Sequence, residues 1–200
     1  MRGVEAQVDW SVQVDVALVH YPVYNKNQEI IGSAVTNLDI HDIARAGRTF
    51  GVGTFYIVTP YQDQQKLVGE IVSHWRDGYG ARYNTDRKEA LASIEICADL
   101  QGLYELAAVN GQKPLVVATS AREHSGNISY GAMRRKIFAG SRVLILFGTG
   151  WGLAGQALAG VDVMLPPISG YGDYRHLSVR SAVSIVLDRL LGRREEENIQ

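Results

Sequence analysis

The densest run of chemically suggestive residues is Phe147-Gly148-Thr149-Gly150-Trp151-Gly152-Leu153, in which Gly150, Gly152 and Gly155 spell G-x-G-x-x-G behind an apolar stretch. Glycines at the end of a strand let backbone N–H groups approach a ligand. In a dinucleotide site this pattern belongs to the first strand-to-helix turn, and an acidic residue ends the following strand. Here it follows the fifth apolar run, and the next run ends in Leu165-Pro166-Pro167. A tight turn needing positive φ is the plainer alternative, yet Gly148, Gly150 and Gly152 within five residues favour close approach of backbone to a ligand. Two further loops share this small-residue character: Ala118-Thr119-Ser120-Ala121-Arg122, and Pro166-Pro167-Ile168-Ser169-Gly170-Tyr171-Gly172-Asp173-Tyr174. Other chemistries lack their residues. There is no G-x-x-x-x-G-K-[ST] phosphate loop and no G-x-S-x-G elbow. The five histidines have no metal-ligand spacing, and Cys97 is alone, so no metal site is expected. Glu123-His124-Ser125 reads as a polar loop rather than part of a triad.

These loops must be held by something rigid. Apolar runs rich in Val, Ile, Leu and aromatics at 14–19, 54–58, 93–97, 115–118, 143–147 and 161–165 predict strands, several apolar almost throughout, as strands covered on both faces are. Helical periodicity at 40–50, 62–75, 100–110, 130–138 and 175–191 separates them. Asn37 or Asp39 is a candidate cap for the first helix, Gly51 its left-handed stop, and Asn110-Gly111 closes the third. The stretches 78–86 and 120–129 read as long loops. Alternation of this kind predicts a single α/β domain over 1–192, a mostly parallel six-stranded sheet with helices on both faces, followed by a charged, frayed tail at 193–200. Ligands of open α/β sheets bind at the carboxyl ends of the strands, where the three loops lie.

Composition narrows the class. The 200 residues are 46% hydrophobic and 20% charged, enough for one core without metal or disulfide staples. A lone cysteine and the absence of an apolar signal-peptide core in Met1–Glu5 predict a reducing, cytoplasmic setting, and no run is long enough to span a membrane. With a net charge of -1, any nucleic-acid site must be local. Arginines outnumber lysines 15 to 5, and the 121–142 segment carries Arg122, Arg134, Arg135, Lys136 and Arg142 against Glu123, a net +4. That patch suits phosphates, or else is a solvated helix face.

In residues, the chain resembles the SPOUT RNA methyltransferases. Asn37-Leu38-Asp39-Ile40-His41-Asp42-Ile43-Ala44-Arg45 leading to Gly51-Val52 is similar to the family's first motif, with Arg45 at the family's spacing from Gly51 and Asp39 nearer than Asn37 to the family's asparagine. Phe147–Leu153 is similar to the second motif, without its usual glutamate. Leu165-Pro166-Pro167-Ile168, followed by Leu177-Ser178-Val179, is similar to the third, with Ser178 replacing an asparagine. Gly172-Asp173-Tyr174 resembles the Gly-Asp-Tyr of the bacterial tRNA guanine-N1 enzymes within the same superfamily.

The resemblance implies a C-terminal deep trefoil knot, a homodimer packed through it, S-adenosylmethionine (SAM) as cofactor, and tRNA or rRNA as substrate, methylated at a ribose 2′-hydroxyl or at guanine N1. It places the cofactor against Ala118, Thr119, Ser120, Phe147, Gly148, Thr149, Gly150, Trp151, Gly152, Leu165, Pro167, Ile168, Tyr174, Leu177 and Ser178. Asp173 is the candidate base, or a turn-forming or capping aspartate. Arg45 is the candidate cation that steadies developing charge or a phosphate, in its own or the partner's site, or an ordinary exposed arginine. Asn37, Arg48, Arg122, Arg134 and Arg135 are the candidate RNA contacts. A knotted RNA-binding module without catalysis and a nicotinamide oxidoreductase are the alternatives.

Overall fold

The computed structural model describes residues 13–194. In chain order the elements are β1 (Val14–Val19), β2 (Val23–Tyr24), β3 (Ile30–Ile31), α1 (Asn37–Phe50), β4 (Phe55–Val58), α2 (Gln62–Arg76), α3 (Tyr79–Tyr83), α4 (Thr85–Leu91) and β5 (Ile94–Cys97). They continue as α5 (Leu100–Ala107), β6 (Leu115–Ala118), α6 (Tyr130–Phe138), β7 (Val143–Gly148), α7 (Gly155–Leu158), β8 (Val163–Met164) and α8 (Val179–Leu191). Six strands form one sheet in the order β5-β4-β1-β7-β6-β8, every pairing parallel, and β2 and β3 form a separate antiparallel hairpin.

The continuous apolar runs follow from burial on both sheet faces. Val14, Val16 and Leu18 of β1 and Val143, Ile145 and Phe147 of β7 enter one core with α1, α2, α4, α6 and α8. The alternate residues Ala17, Val19, Leu144 and Leu146 enter a second core with α5 and α7. Side chains two apart share a face of a strand, so each run serves both cores. After β1 the chain builds outward through β4 to β5, then returns past β1 to β6. The order therefore reverses between β1 and β7, the position where α/β sheets open a crevice at their carboxyl edge. The last helix crosses back from the edge strand β8 to pack on α1 and α6.

Local signals correct several expectations. Thr36, not Asn37 or Asp39, caps α1: its Oγ1 accepts from the Asp39 N–H at 3.1 Å and donates to the Asp39 carboxylate at 2.6 Å. Gly51 ends α1 at φ 76° as expected. Helix α5 stops at Ala107, because Asn110 and Gly111, both at positive φ, make a tight turn with Val109 and Gln112 bonded in both directions across it. The 78–86 stretch is not a long loop but contains α3 and the start of α4, the latter capped by Asn84. Helix α8 begins only at Val179, since the residues before it run extended into the Ser178 cap. The hairpin β2–β3 and the short α7 were not foreseen. Residues 195–200 of the charged tail, and Met1–Glu5, lie outside the described residues; Arg194, at the tail's start, is bonded to Asp188. No described helix is long and apolar enough to cross a membrane.

Candidate functional site

The loops that follow β6, β7 and β8, with Tyr24, Ser33 and Ala34 of the segment that follows β1, surround a cavity of about 880 Å³. Its central wall is the loop from Gly148 to Leu153. Gly150 and Gly152 have φ of 57° and 102°, where side chains with a Cβ are strained. A Cβ on Gly150 would stand 2.8 Å from the Tyr24 carbonyl oxygen, and one on Gly148 would stand 2.7 Å from the Leu153 nitrogen. The close approach these glycines permit is thus to the protein's own backbone. The β2–β3 hairpin is what approaches: Trp151 N–H donates to the Tyr24 carbonyl at 2.9 Å, Tyr24 N–H to the Gly152 carbonyl at 2.9 Å, and Ala154 N–H to the Pro22 carbonyl at 3.1 Å. The Tyr24 hydroxyl accepts from Gly155 N–H at 3.2 Å. The G-x-G-x-x-G pattern is therefore the footprint of a clamp on the loop, and no acidic residue ends β8 to complete a dinucleotide site.

Beside the loop runs a partly buried polar chain that sequence reading missed, its Ser33 and Thr149 facing the cavity and its His20 buried. Thr149 Oγ1 donates its one proton to the Val19 carbonyl at 3.0 Å. The Ser33 hydroxyl, in contact with Thr149 Oγ1, must then donate to it. Ser33 Oγ in turn accepts from His20 Nδ1, 2.9 Å away, which fixes His20 as the Nδ1–H tautomer. His20 is fully buried and its Nε2 has no partner among the described residues, so a second proton there would be buried without an acceptor. Burial accordingly lowers its pKa to about 4, against a smaller upward pull from Asp39. The chain His20→Ser33→Thr149→Val19 is neutral and points one way.

The remaining walls are loops tied to each other. Thr119 donates its N–H and hydroxyl to the Leu146 carbonyl. The Tyr130 hydroxyl donates to the Pro166 carbonyl at 3.2 Å, and Arg175 approaches Glu123 at 3.8 Å across the mouth. The peptide N–H groups of Ser120, Gly150 and Ile168 have no partner among the described residues. At the rim, Trp151 lies 6.2 Å from the ring of His176, which lies 5.7 Å from that of Tyr174. Asp173 is exposed there with no ion pair among the described residues, whereas Asp39, the other carboxylate of the cavity, is held by Thr36 and faced by Arg180 at 3.8 Å.

Most of the residues expected around a cofactor meet in this cavity: Thr119, Ser120, the Phe147–Gly152 run, Ile168, Leu177 and Ser178, with Asp173 and Arg122 at its edge. Ala118, Leu165 and Pro167 are buried beside it, Leu165 N–H bonding the Ala118 carbonyl, and Tyr174 stands outside against His176. Arg45 and Asn37 do not line it; both lie in a second groove between α1 and α2. Arg48 pairs with Glu89 at 2.8 Å on the surface. Arg134 donates to the Leu190 carbonyl and lies over Phe138, and Arg142 donates to the Ala107 carbonyl, so two of the basic residues of 121–142 serve the fold. Arg135 is exposed on α6. Tyr24, Ser33, Asp39 and Tyr130 line the cavity unforeseen. Their one signal was position, just beyond strands or at helix starts. Among the described residues no group of three or more potential ligands could hold a metal.

Comparison with known proteins bears on this cavity. Residues 13–192 match the family model described as SAM-dependent RNA methyltransferase. A "tRNA (guanine-N(1)-)-methyltransferase" of Nitratidesulfovibrio vulgaris is 45% identical over 177 residues, covering 88% of this chain and 41% of that protein. The chain thus spans about two fifths of the length of such relatives. An uncharacterized protein of Aquifex aeolicus is 37% identical, with 90% and 89% of the two chains covered. In fold, the TrmH/SpoU tRNA modifying enzyme of A. aeolicus superposes with a TM-score of 0.54 at 18% identity, over 93% of this chain and 77% of that one.

Proposed function

The chain belongs to the SAM-dependent RNA methyltransferase family, with the SPOUT architecture, and on that premise we propose that it methylates tRNA in the cavity at the carboxyl edge of its sheet. The observation that carries the reading is the crevice at the strand-order reversal, lined by the loops that follow β6, β7 and β8. Its volume lies within the roughly 300–1,000 Å³ of small-molecule sites. The unpartnered N–H groups of Ser120, Gly150 and Ile168, with Thr119 and Ser178, suit the hydrogen-bonding edges of a nucleoside. The residues present therefore fit SAM, whose sulfonium supplies an electrophilic methyl group and needs no metal.

The chain's own groups do the rest. The hairpin and the His20 chain hold the Gly148–Leu153 loop in one conformation, so little ordering is left for binding. Trp151, Tyr174 and His176 offer aromatic surface at the mouth. Asp173 is the carboxylate free to take a proton, which both a ribose hydroxyl and guanine N1 must lose. Arg122 and Arg135, with Asn37, Arg45 and Arg48 on α1, offer contacts to RNA. The guanine-N1 name belongs to relatives more than twice as long, so the acceptor is to be read from the product. We also propose that the chain works in the cytoplasm as a homodimer, and that its path from β8 into α8 is threaded as the trefoil knot.

The test is calorimetric titration with SAM, then incubation with unfractionated tRNA and SAM labelled in the methyl group, followed by nucleoside mass spectrometry and light scattering. Saturable binding and one labelled nucleoside are expected. A folded protein that neither binds SAM nor labels tRNA overturns the proposal.

A further inference from the structure

A second groove of about 490 Å³ lies between α1, α2 and α4, apart from the methyl-transfer cavity. Asn37, His41 and Arg45 enter it from α1, His74 and Trp75 from α2, and Arg87 from α4. Most arginines nearby have carboxylate partners: Arg48 has Glu89, Arg76 has Asp77, and Arg180 faces Asp39 and Asp42. Among the described residues Arg45 and Arg87 have none, although Asp42 and Glu70 line the same groove. Arg87 instead lies over the Trp75 ring at 4.5 Å, and its Nε, a donor only, is buried without an acceptor among the described residues. Nδ1 of His41, whose ring meets Trp75 edge-on, is likewise buried with no partner among them. A buried guanidinium donor with nothing to accept its proton is rare unless a ligand completes it. Electrostatics agree. Besides burial, Arg87 and Arg45 both push the His41 pKa down, against an opposing pull from Asp42.

We infer that this groove binds a phosphate group, taken between the Arg45 and Arg87 guanidiniums, and that in use the phosphate belongs to the RNA backbone. Planar guanidiniums match phosphate oxygens in bidentate geometry, and the stack on Trp75 holds Arg87 in place for this. The RNA source follows from position. The first turn of α1 is shared, with Asp39 facing the methyl-transfer cavity while Asn37 and His41 face the groove. A strand anchored at Arg45, six residues or about 9 Å along α1 from Asp39, is thereby held beside the other cavity. This assignment rests on the RNA reading above, and it moves Arg45 from the reacting atoms to the anchoring of substrate.

The test compares wild type with Arg87→Gln and Arg87→Lys, measuring affinity for unfractionated tRNA over a series of salt concentrations, with SAM titration as the fold control. Arg87→Gln is expected to weaken tRNA binding about threefold to tenfold and to reduce the slope of log affinity against log salt by about one, while Arg87→Lys keeps the slope. If wild type binds tRNA and Arg87→Gln matches it in affinity and slope, the groove is not a phosphate site, and the RNA reading survives. If wild type does not bind tRNA, the RNA reading fails first. Titration with pyrophosphate, followed on the Trp75 indole NMR signal, then decides the rest: a shift absent in Arg87→Gln keeps a site for free phosphate, and no shift overturns the inference outright.

Discussion

The two recesses flanking the start of α1 are built on opposite principles. The larger has as its central wall a glycine-rich loop whose peptide groups are held by the hairpin and by a partly buried neutral hydrogen-bond chain. The smaller is walled mainly by charged and aromatic side chains of α1, α2 and α4, of which Trp75 also packs against the core. A backbone-built site is all-or-nothing, because one misplaced Cβ moves the whole wall. A site built of side chains responds in steps, one contact at a time.

The sharpest break of that contrast is Gly150→Leu. Its Cβ would collide with the Tyr24 carbonyl at a φ that disfavours any side chain, so calorimetry should show SAM affinity falling about a hundredfold or more. Retained affinity would mean that the loop is not a rigid wall. Asp173→Asn should lower the methylation rate about 10²- to 10³-fold with SAM affinity unchanged, because a proton acceptor is lost and no wall moves; a rate near wild type would remove Asp173 from the chemistry.

His20→Leu deletes the donor that orders Ser33 and Thr149, and should weaken SAM binding roughly tenfold, about 1.4 kcal/mol. His20→Asn, whose amide can donate near the Nδ1 position, should restore part of it. The same residue predicts a pH effect. Its folded pKa of about 4 lies below the ordinary value of 6.5, so the unfolded chain takes up a proton first as the solution is acidified. Wild type should therefore lose about 3 kcal/mol between pH 6.5 and pH 4 from this group, a loss absent in His20→Leu urea titrations. At the gentle end, Arg45→Gln should weaken tRNA binding severalfold and leave SAM binding alone. Arg48→Ala, removing an exposed ion pair, should change stability by less than about 1 kcal/mol.

Legibility in the sequence followed the same division. The sheet was readable because β1, β4 and β7 are apolar on both faces, and the cavity because its loops sit at the ends of those strands. The hairpin was not, since β2 and β3 have two residues each and no alternation to display. Without the hairpin, the glycines could not be assigned to a clamp. Thr36 lost to Asn37 and Asp39 because three capping types fall within four residues, and only backbone angles choose among them. Asn110-Gly111 signals positive φ equally well for a helix end or a tight turn. Ser33 and His20 carry no motif, because His20 pairs with Ser33 across 13 residues and Ser33 with Thr149 across 116. Arg45 was placed at the chemistry by resemblance, whereas its neighbours are set by how α1 and α2 pack.

Strand β1 sits mid-sheet with Val16 beside Phe55 on one edge and Val14 beside Val143 on the other. On a ribosome adding about 5–20 residues per second, the second edge waits roughly 6–25 s for its partner. Through that interval a nearly all-apolar strand has one row of peptide groups unpaired. The proposed cofactor crevice, which straddles this seam and also needs the segment after β8, is completed late in the life of the nascent chain, and variants that slow β7 docking should surface first as aggregation during synthesis rather than as weakened SAM binding.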